Sequence, residues 1–370
     1  MKRFLVSVCT ALFILSAPLS AFEWGGVIKD DTGISTPDFK SITFNQSNAI
    51  SLWFKTPVGE SFKLTAEGLY KYNLSVSKDA TEFVNIADLS LFKFDGKINA
   101  GSGLLSLTAG RFSVADATGA VIAQTSDGIS VTYALDTVKL GAYAGYTGLL
   151  NGLNVAMAVA PQKDNKVYNP AYPYAPLGLK VELPSLFLNQ NITLEGYALL
   201  DCGANKSSMY YGSLVFAGPI ANSVYYNLSS TFGSVNFKSF MNYTGFTLYI
   251  FPTEEIAVNA GLDFGSADQG SMAAFTSIST KSGDVSGKIV PRIGFTYGTD
   301  DLCLELGGKY RIAYDTAKAK YAGAGVDINA GFVYNIFSDL QIGLNINALL
   351  DTTEAKQNNY TANLNIALAF

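Results

Sequence analysis

The sequence predicts an all-β chain that closes into a transmembrane, antiparallel, up-and-down β-barrel of about 18 strands. Three observations carry that expectation. A leader of the secretory type opens the chain, period-two alternation runs through nearly everything after it, and short turns alternate with longer polar links.

The leader comes first. Met1, Lys2 and Arg3 form a short basic segment, and Phe4 to Leu15 is apolar, interrupted only by small residues. Ser16 to Ala21 then breaks the pattern at Pro18 and ends in small residues. This is the three-part plan of a signal peptide with cleavage after Ala21. The apolar run is too short to span a bilayer comfortably as an anchor. Cys9 lies inside it, too early for lipoprotein processing. Residues 1–21 are therefore read as a cleaved leader and residues 22–370 as a single barrel domain.

Composition narrows the classes. The chain has no histidine, 15% charged residues, 13% aromatic residues and 35 glycines. Loss of Lys2 and Arg3 with the leader takes the formal net charge from −5 to −7. Nothing resembles a basic patch, so no nucleic-acid partner is expected. After Ala21 no stretch offers 18 consecutive apolar residues, so a membrane-embedded chain has to cross as a closed barrel. Outer-membrane lipid is then its surrounding partner.

The strands follow from alternation. From Phe62 the even positions read Phe62, Leu64, Ala66, Gly68, Tyr70, Tyr72 and Leu74, while the odd ones include Lys63, Glu67 and Lys71. Only a strand sends successive side chains to opposite faces in this way. The pattern returns over Ile192–Leu200, Leu302–Tyr314 and Ala322–Ile336. The phase is mixed around Val84–Phe94, Leu104–Phe112 and Lys238–Phe251. The count is weakest at the first, fourth and eleventh strands, which leaves 16 as the alternative to 18. A soluble β-sandwich also alternates. Against it stand the length of the strands and the aromatic residues near strand ends: Tyr70 and Tyr72, Tyr146, Tyr210 and Tyr211, Tyr310 and Tyr314, Phe332 and Tyr334.

The connections supply the second periodicity. Tight links fall at Leu135–Thr137, Pro252–Glu255, Thr299–Asp301 and Ser338–Asp339, with looser ones at Pro57–Glu60, Pro184–Gln190 and Gly218–Asn222. Between them lie longer links at Lys29–Asn48, Ser113–Asp127, Gly148–Ala175, Ser266–Ser286 and Asp351–Asn359. Short turns on one side and long loops on the other is the plan of outer-membrane barrels, and an even strand count puts both termini on the short-turn side. That topology separates Cys202 from Cys303 by about the thickness of the bilayer, too far for a disulfide.

At the carboxyl terminus Tyr360, Ala362, Leu364, Ile366, Leu368 and Phe370 share one face. This resembles the last strand of bacterial outer-membrane barrel proteins of the porin-like family, which ends in an aromatic residue. The resemblance implies that Tyr360, Leu364, Ile366, Leu368 and Phe370 form the signal read by the barrel-assembly machinery.

The absence of histidine bears on chemistry. A Ser–His or His–Asp hydrolase cannot be assembled, and a histidine metal site is unavailable. The acidic pairs Asp30-Asp31 and Glu254-Glu255 read as solvated turn charges. No catalytic site, metal site or cofactor is expected, and the chain is not expected to be an enzyme.

On the strands of clear phase, the face opposite the apolar stripe carries Lys63, Glu67, Lys71, Lys180, Glu182 and Glu195. Further along it carries Lys288, Arg292, Glu305, Lys309, Arg311 and Asp327. These twelve are the candidate pore-lining residues. Both signs occur, which suits small hydrophilic solutes better than one strongly selected ion. At 16 to 18 strands side chains no longer fill the lumen.

In the porin family the loop after the fifth strand folds inward and narrows the pore. Gly110-Arg111-Phe112, the segment Ala115–Gln124 and Asp127-Gly128 resemble that arrangement, so Arg111, Asp116 and Asp127 are the constriction candidates. An ordinary surface loop explains the same residues about as well. The longest link, Gly148–Ala175, begins apolar and then turns polar and aromatic through Tyr168, Tyr172 and Tyr174. It has the composition to tuck into the mouth, meet a neighbouring subunit or pack as a short helix on the rim.

The leading functional expectation is a porin-like channel for passive diffusion of small hydrophilic solutes and ions, with assembly as a homo-trimer left open. The alternative is a barrel-anchored surface protein, adhesin-like, whose loops bind a partner. A third reading is a hydrophobic-substrate transporter of the fatty-acid type. That one wants an amino-terminal hatch, whereas Phe22 to Gly26 enters a strand almost at once.

Overall fold

The computed structural model describes residues 22–156, 165–266, 285, 287–315, 320–353 and 357–370. The leader lies outside them. The first strands are β1 (Glu23–Thr36), β2 (Thr43–Val58), β3 (Phe62–Val76), β4 (Thr81–Ala100), β5 (Gly103–Ala115) and β6 (Ala123–Ala134). Then come β7 (Lys139–Tyr146), β8 (Tyr174–Phe187), β9 (Gln190–Asp201), β10 (Met209–Ala221), β11 (Val224–Val235) and β12 (Ser239–Ile250). The last third holds β13 (Ile256–Gly265), β14 (Lys288–Gly298), β15 (Leu302–Asp315), β16 (Lys320–Asn335), β17 (Leu340–Asp351) and β18 (Asn359–Ala369).

Every strand pairs antiparallel with its neighbours in sequence, and β18 returns to β1 in register from Val27↔Ala369 to Thr36↔Tyr360. The seam ends with a reciprocal pair of backbone bonds, Gly26 N–H to Phe370 O at 2.8 Å and Phe370 N–H to Gly26 O at 3.0 Å. The barrel is closed, with 18 strands rather than 16. Closure is what allows a sheet to lie in hydrocarbon without orphaned backbone groups.

Because directly paired residues share a face, the register separates outside from inside. The outer face carries Leu52, Ile129, Leu179, Leu194, Phe232 and Ile293, with Leu179 at 69% and Phe232 at 65% exposure. Such side chains each gain roughly 1.5–3 kcal/mol on leaving water for an apolar medium. Tyr70, Tyr146, Tyr310, Tyr314, Phe332 and Tyr334 are exposed as a girdle requires. Tyr211 departs from that expectation. It is only 6% exposed and points inward, because its partner across the sheet is Tyr197 of the inner face.

The short-turn and long-loop sides follow the expected order, with several boundaries moved. The link expected over Lys29–Asn48 shrinks to residues 37–42, since Lys29↔Ala49 through Ser35↔Thr43 are all paired. Polar residues on these strands mark an inner wall, which a loop reading mistook for solvent. The bend itself is tight: Thr36 Oγ1 accepts the N–H of Phe39 at 2.9 Å, and Asp38 accepts those of Ser41 at 2.7 Å and Lys40 at 2.9 Å. Those two backbone donors hold the Asp38 carboxyl below its ordinary range. Phe39 lies against Tyr360 across the seam, with ring centroids 4.3 Å apart.

The link at Ser113–Asp127 contracts to residues 116–122, and Pro184–Gln190 is mostly strand, with a register irregularity between Leu183 and Phe187. Asp30 and Asp31, expected in a turn, lie within β1. Cys202 follows β9 on the long-loop side and Cys303 is the second residue of β15 on the opposite side; both are free thiols, as the topology requires.

Candidate channel interior

The inner face is traced by register. Asp31, Asn45, Ser47 and Asn73 share it, as do Ser130, Tyr143, Gly178, Tyr197 and Tyr211 on the far wall. Two loops descend into the space they enclose.

The first is residues 116–122, between β5 and β6. Ala120, Val121 and Ile122 are 0% exposed and pack with Tyr174, Leu199, Met209, Tyr243, Val285 and Val290. A loop becomes a core only if its backbone donors are satisfied, and Asp116 does this. Its carboxylate accepts N–H bonds from Thr118 at 3.0 Å and from Val121 and Ile122 at 2.9 Å, plus the Thr118 hydroxyl at 2.6 Å. The loop is tied to the wall at two points. Ala117 N–H donates to the Glu195 carboxylate of β9, and the Thr231 hydroxyl of β11 donates to Thr118 Oγ1 at 3.2 Å.

The second lies between β7 and β8 and is described over residues 147–156 and 165–173. Above Phe92↔Arg111 the pairing of β4 with β5 stops, and β4 continues upward with one edge unpaired to β5. The long loop occupies that edge. Ala87 N–H donates to Val167 O at 3.2 Å, while Asn151 Nδ2 donates to Ala87 O at 3.2 Å and Val167 O at 2.9 Å. Arg111 is the fastening. Its guanidinium makes two parallel bonds to Asp127 at 2.7 and 2.8 Å, and reaches Asp88 at 3.2 Å, Leu89 O at 2.9 Å and Leu149 O at 2.6 Å. All five donors of the side chain are thereby engaged.

Of the three constriction candidates, Arg111 and Asp127 are thus brought together, on the face of Ala109 and Ile129 rather than that of Ser130. Asp116 is held separately, inside the inward loop. Gly110 makes the approach of β5 to β4 feasible. Its φ is +112°, and a Cβ there would lie 2.1 Å from Phe92 O.

The twelve lining candidates fall on the face shared with these inner residues. Lys63 pairs with Asp95 at 3.3 Å, and Glu67 accepts the Ser90 hydroxyl at 2.8 Å. Lys71 sits opposite Ile86. Lys180 pairs with Glu182 at 2.8 Å, and Glu195 is the loop anchor already described. Lys288 lies opposite Ala313, and Glu305 between Thr296 and Gly331. Arg292 pairs with Asp263 at 2.8 Å and donates to Thr247 Oγ1 at 2.5 Å. Lys309 is flanked by Arg292 and Asp327, and Arg311 pairs with Asp327 at 3.1 Å.

Asp88, Asp263 and Asn151 escaped sequence reasoning. Asp88 was hidden by a bulge: Glu67 pairs Leu91 but Gly68 pairs Leu89, so Ser90 is extra and the inward phase of β4 changes from odd to even. Asn151 sits in a loop with no periodicity to read.

Since the inward loop packs on β8 to β14, the open volume lies against the other wall. A cavity of about 560 Å³ opens there, lined among others by Asp31, Asn73, Glu82, Ile86, Asn345 and Asn363, with Leu153 reaching it from the long loop.

The class defined by this geometry is a closed 18-stranded antiparallel barrel with its polar face inward and loops folded into its bore. No family model and no curated protein matches the sequence. Solved structures do match in fold, and they are outer-membrane porins. Against Pseudomonas aeruginosa OccK7 (OpdD) the TM-score is 0.65 at 10% identity, covering 95% of this chain and 99% of that one. Against P. aeruginosa OccK5 (OpdH) it is 0.61 at 13%, covering 94% and 98%. Against P. aeruginosa OpdK with vanillate it is 0.59 at 12%, covering 94% and 98%. The chain has the fold of the 18-stranded porins.

Proposed function

We propose that the chain is an outer-membrane channel through which small hydrophilic solutes and ions diffuse passively. The observation that carries this reading is a polar inner face that runs around a barrel too wide for its own side chains to fill, beside a loop that occupies only one side of the bore. OpdK, which shares the fold, holds vanillate, so a barrel of this kind can take up a small organic molecule. The residues named as pore-lining act by setting the field along the bore, and Asp116 by holding the loop that narrows it. Arg111 and Asp127 act one step back, by fixing the long loop.

The exposed apolar belt supports a bilayer as the surroundings. The strand ending in Leu364, Ile366, Leu368 and Phe370 supports delivery by the barrel-assembly machinery after cleavage at Ala21. The polar bore supports transport rather than catalysis. The test is single-channel recording of the refolded protein in a planar bilayer. Stepwise, ohmic openings are expected. A folded, inserted barrel that never conducts would leave the long-loop side, and a bound partner, as the seat of function.

A further inference from the structure

One wall of the bore is built differently from the rest. Inward asparagines face glycines at several cross-strand pairs, five of which are Asn259↔Gly294, Asn329↔Gly307, Asn345↔Gly331, Asn365↔Gly343 and Asn363↔Gly33. In each the amide is drawn down over the glycine. A Cβ at Gly33 would lie 1.9 Å from Asn363 Oδ1, at Gly307 2.3 Å from Asn329 Oδ1, and at Gly294 2.5 Å from Asn259 Nδ2. The looser pairs, Gly331 with Asn345 and Gly343 with Asn365, give 3.2 and 3.6 Å. The glycines are spaces into which the amides fold, so this stretch of wall is shallow and polar.

Four of the five pairs follow one another across β15 to β1, and three of them end in the cavity of about 560 Å³. Asn73, Asn345, Asn363 and Asn365 line it, and their side chains make no hydrogen bond to another described residue. Each amide offers two donors and an acceptor with two lone pairs. Ser47 and Ser75 add hydroxyls, Asp31 and Glu82 add carboxylates, and among the described residues no basic side chain lines the cavity. Val84, Ile86 and Leu153 form an apolar patch at its side.

We propose that this wall is a binding site for an uncharged polyhydroxylated solute of mono- or disaccharide size. The chemistry matches point by point. A sugar needs donors and acceptors mixed within one surface, which amides supply, and carboxylates that accept from hydroxyls. It also presents a C–H face, for which Val84 and Leu153 are the complement. The volume falls within the range of small-molecule sites. A permeating anion would meet the Asp31 carboxylate at this wall.

The inference deepens the channel reading and rests on it for its role in transport, but binding is measurable without conduction. Saturation-transfer NMR on the barrel in a non-glycosidic detergent, with maltose as probe and gluconate and lysine as charged comparators, reads binding alone. Transfer to maltose is expected, with little to gluconate. The double variant Asn345→Ala/Asn363→Ala loses two neutral hydrogen-bonding groups and should weaken maltose binding by about tenfold. Its melting temperature should be retained.

Transfer to lysine in preference to maltose would overturn the proposal, as would maltose binding that the double variant leaves unchanged. A barrel that binds maltose yet never conducts would keep the site and remove the channel. One that conducts but shows no transfer to maltose would keep the channel and remove the site.

Discussion

The two sides of the bore handle polarity in opposite ways. On the side of β8 to β14 charges are paired and space is filled: Arg292 with Asp263, Lys180 with Glu182, and the inward loop sealed by Asp116. Around the cavity, from β17 to β2, the polar groups are mostly amides and hydroxyls, several of them laid over glycines and facing open volume. A buried carboxylate must be saturated with donors, and once saturated it is a structural part. An amide exposed to water pays no such penalty and stays available to a passing solute. Paired charge therefore shapes the filled side of the bore, while neutral groups predominate around the cavity, between the charged residues of β3 and those of β15 and β16.

The sharpest way to break that contrast is to unseal the inward loop. Asp116→Ala leaves the N–H groups of Val121 and Ile122 buried without partners, at a cost of roughly 1–3 kcal/mol each. The loop should leave the wall while the barrel stays closed. Single-channel conductance should rise roughly twofold as the bore widens, with the thermal unfolding of the barrel little changed.

Next comes the fastening of the long loop. Removing one member of a buried ion pair costs about 3–5 kcal/mol, so Arg111→Ala should free residues 147–156 and 165–173 from β4. Hydrogen exchange at Ala87, whose N–H donates to Val167 O, should accelerate at least tenfold, by the same free energy expressed as local opening. Arg111→Lys cannot reproduce two parallel bonds to Asp127 and should rescue only part of the protection.

A smaller effect is expected at Gly110→Ala, where a positive φ and the contact with Phe92 O together should cost about 1–3 kcal/mol. A lowered midpoint in urea unfolding would show it. Smallest in free energy is Lys309→Glu. Beside Arg292 and Asp327, it should move the reversal potential toward cations in a salt gradient and leave stability almost unaltered.

Much of this was legible beforehand, for a physical reason. Alternation reports burial directly where strands are regular, so β3, β15 and β18 could be read face by face, and the closing pair of β18 with β1 followed from an even count. The inward phase failed at β4, where the extra Ser90 changes parity and hid Asp88. Boundaries failed at Lys29–Asn48 because an inner wall and a loop are both polar. The identity of Asp116 as a loop-sealing carboxylate needed coordinates, since nothing local distinguishes it from a solvated acid. The amide wall was half visible. Asn329, Asn363 and Asn365 showed their phase in sequence, but the glycines facing them belong to neighbouring strands, and only register brings the two together.

The most direct test combines face and passage. In a Cys202→Ser/Cys303→Ser background, Asn345→Cys and Ile346→Cys place a thiol on adjacent positions of β17 with opposite facing. A water-soluble, membrane-impermeant thiol reagent is added during single-channel recording. The account predicts stepwise, irreversible loss of current with Asn345→Cys and none with Ile346→Cys, whose side chain is on the outer face. Equal loss at both positions, or loss at Ile346→Cys alone, would contradict a water-filled bore lined by the amide wall.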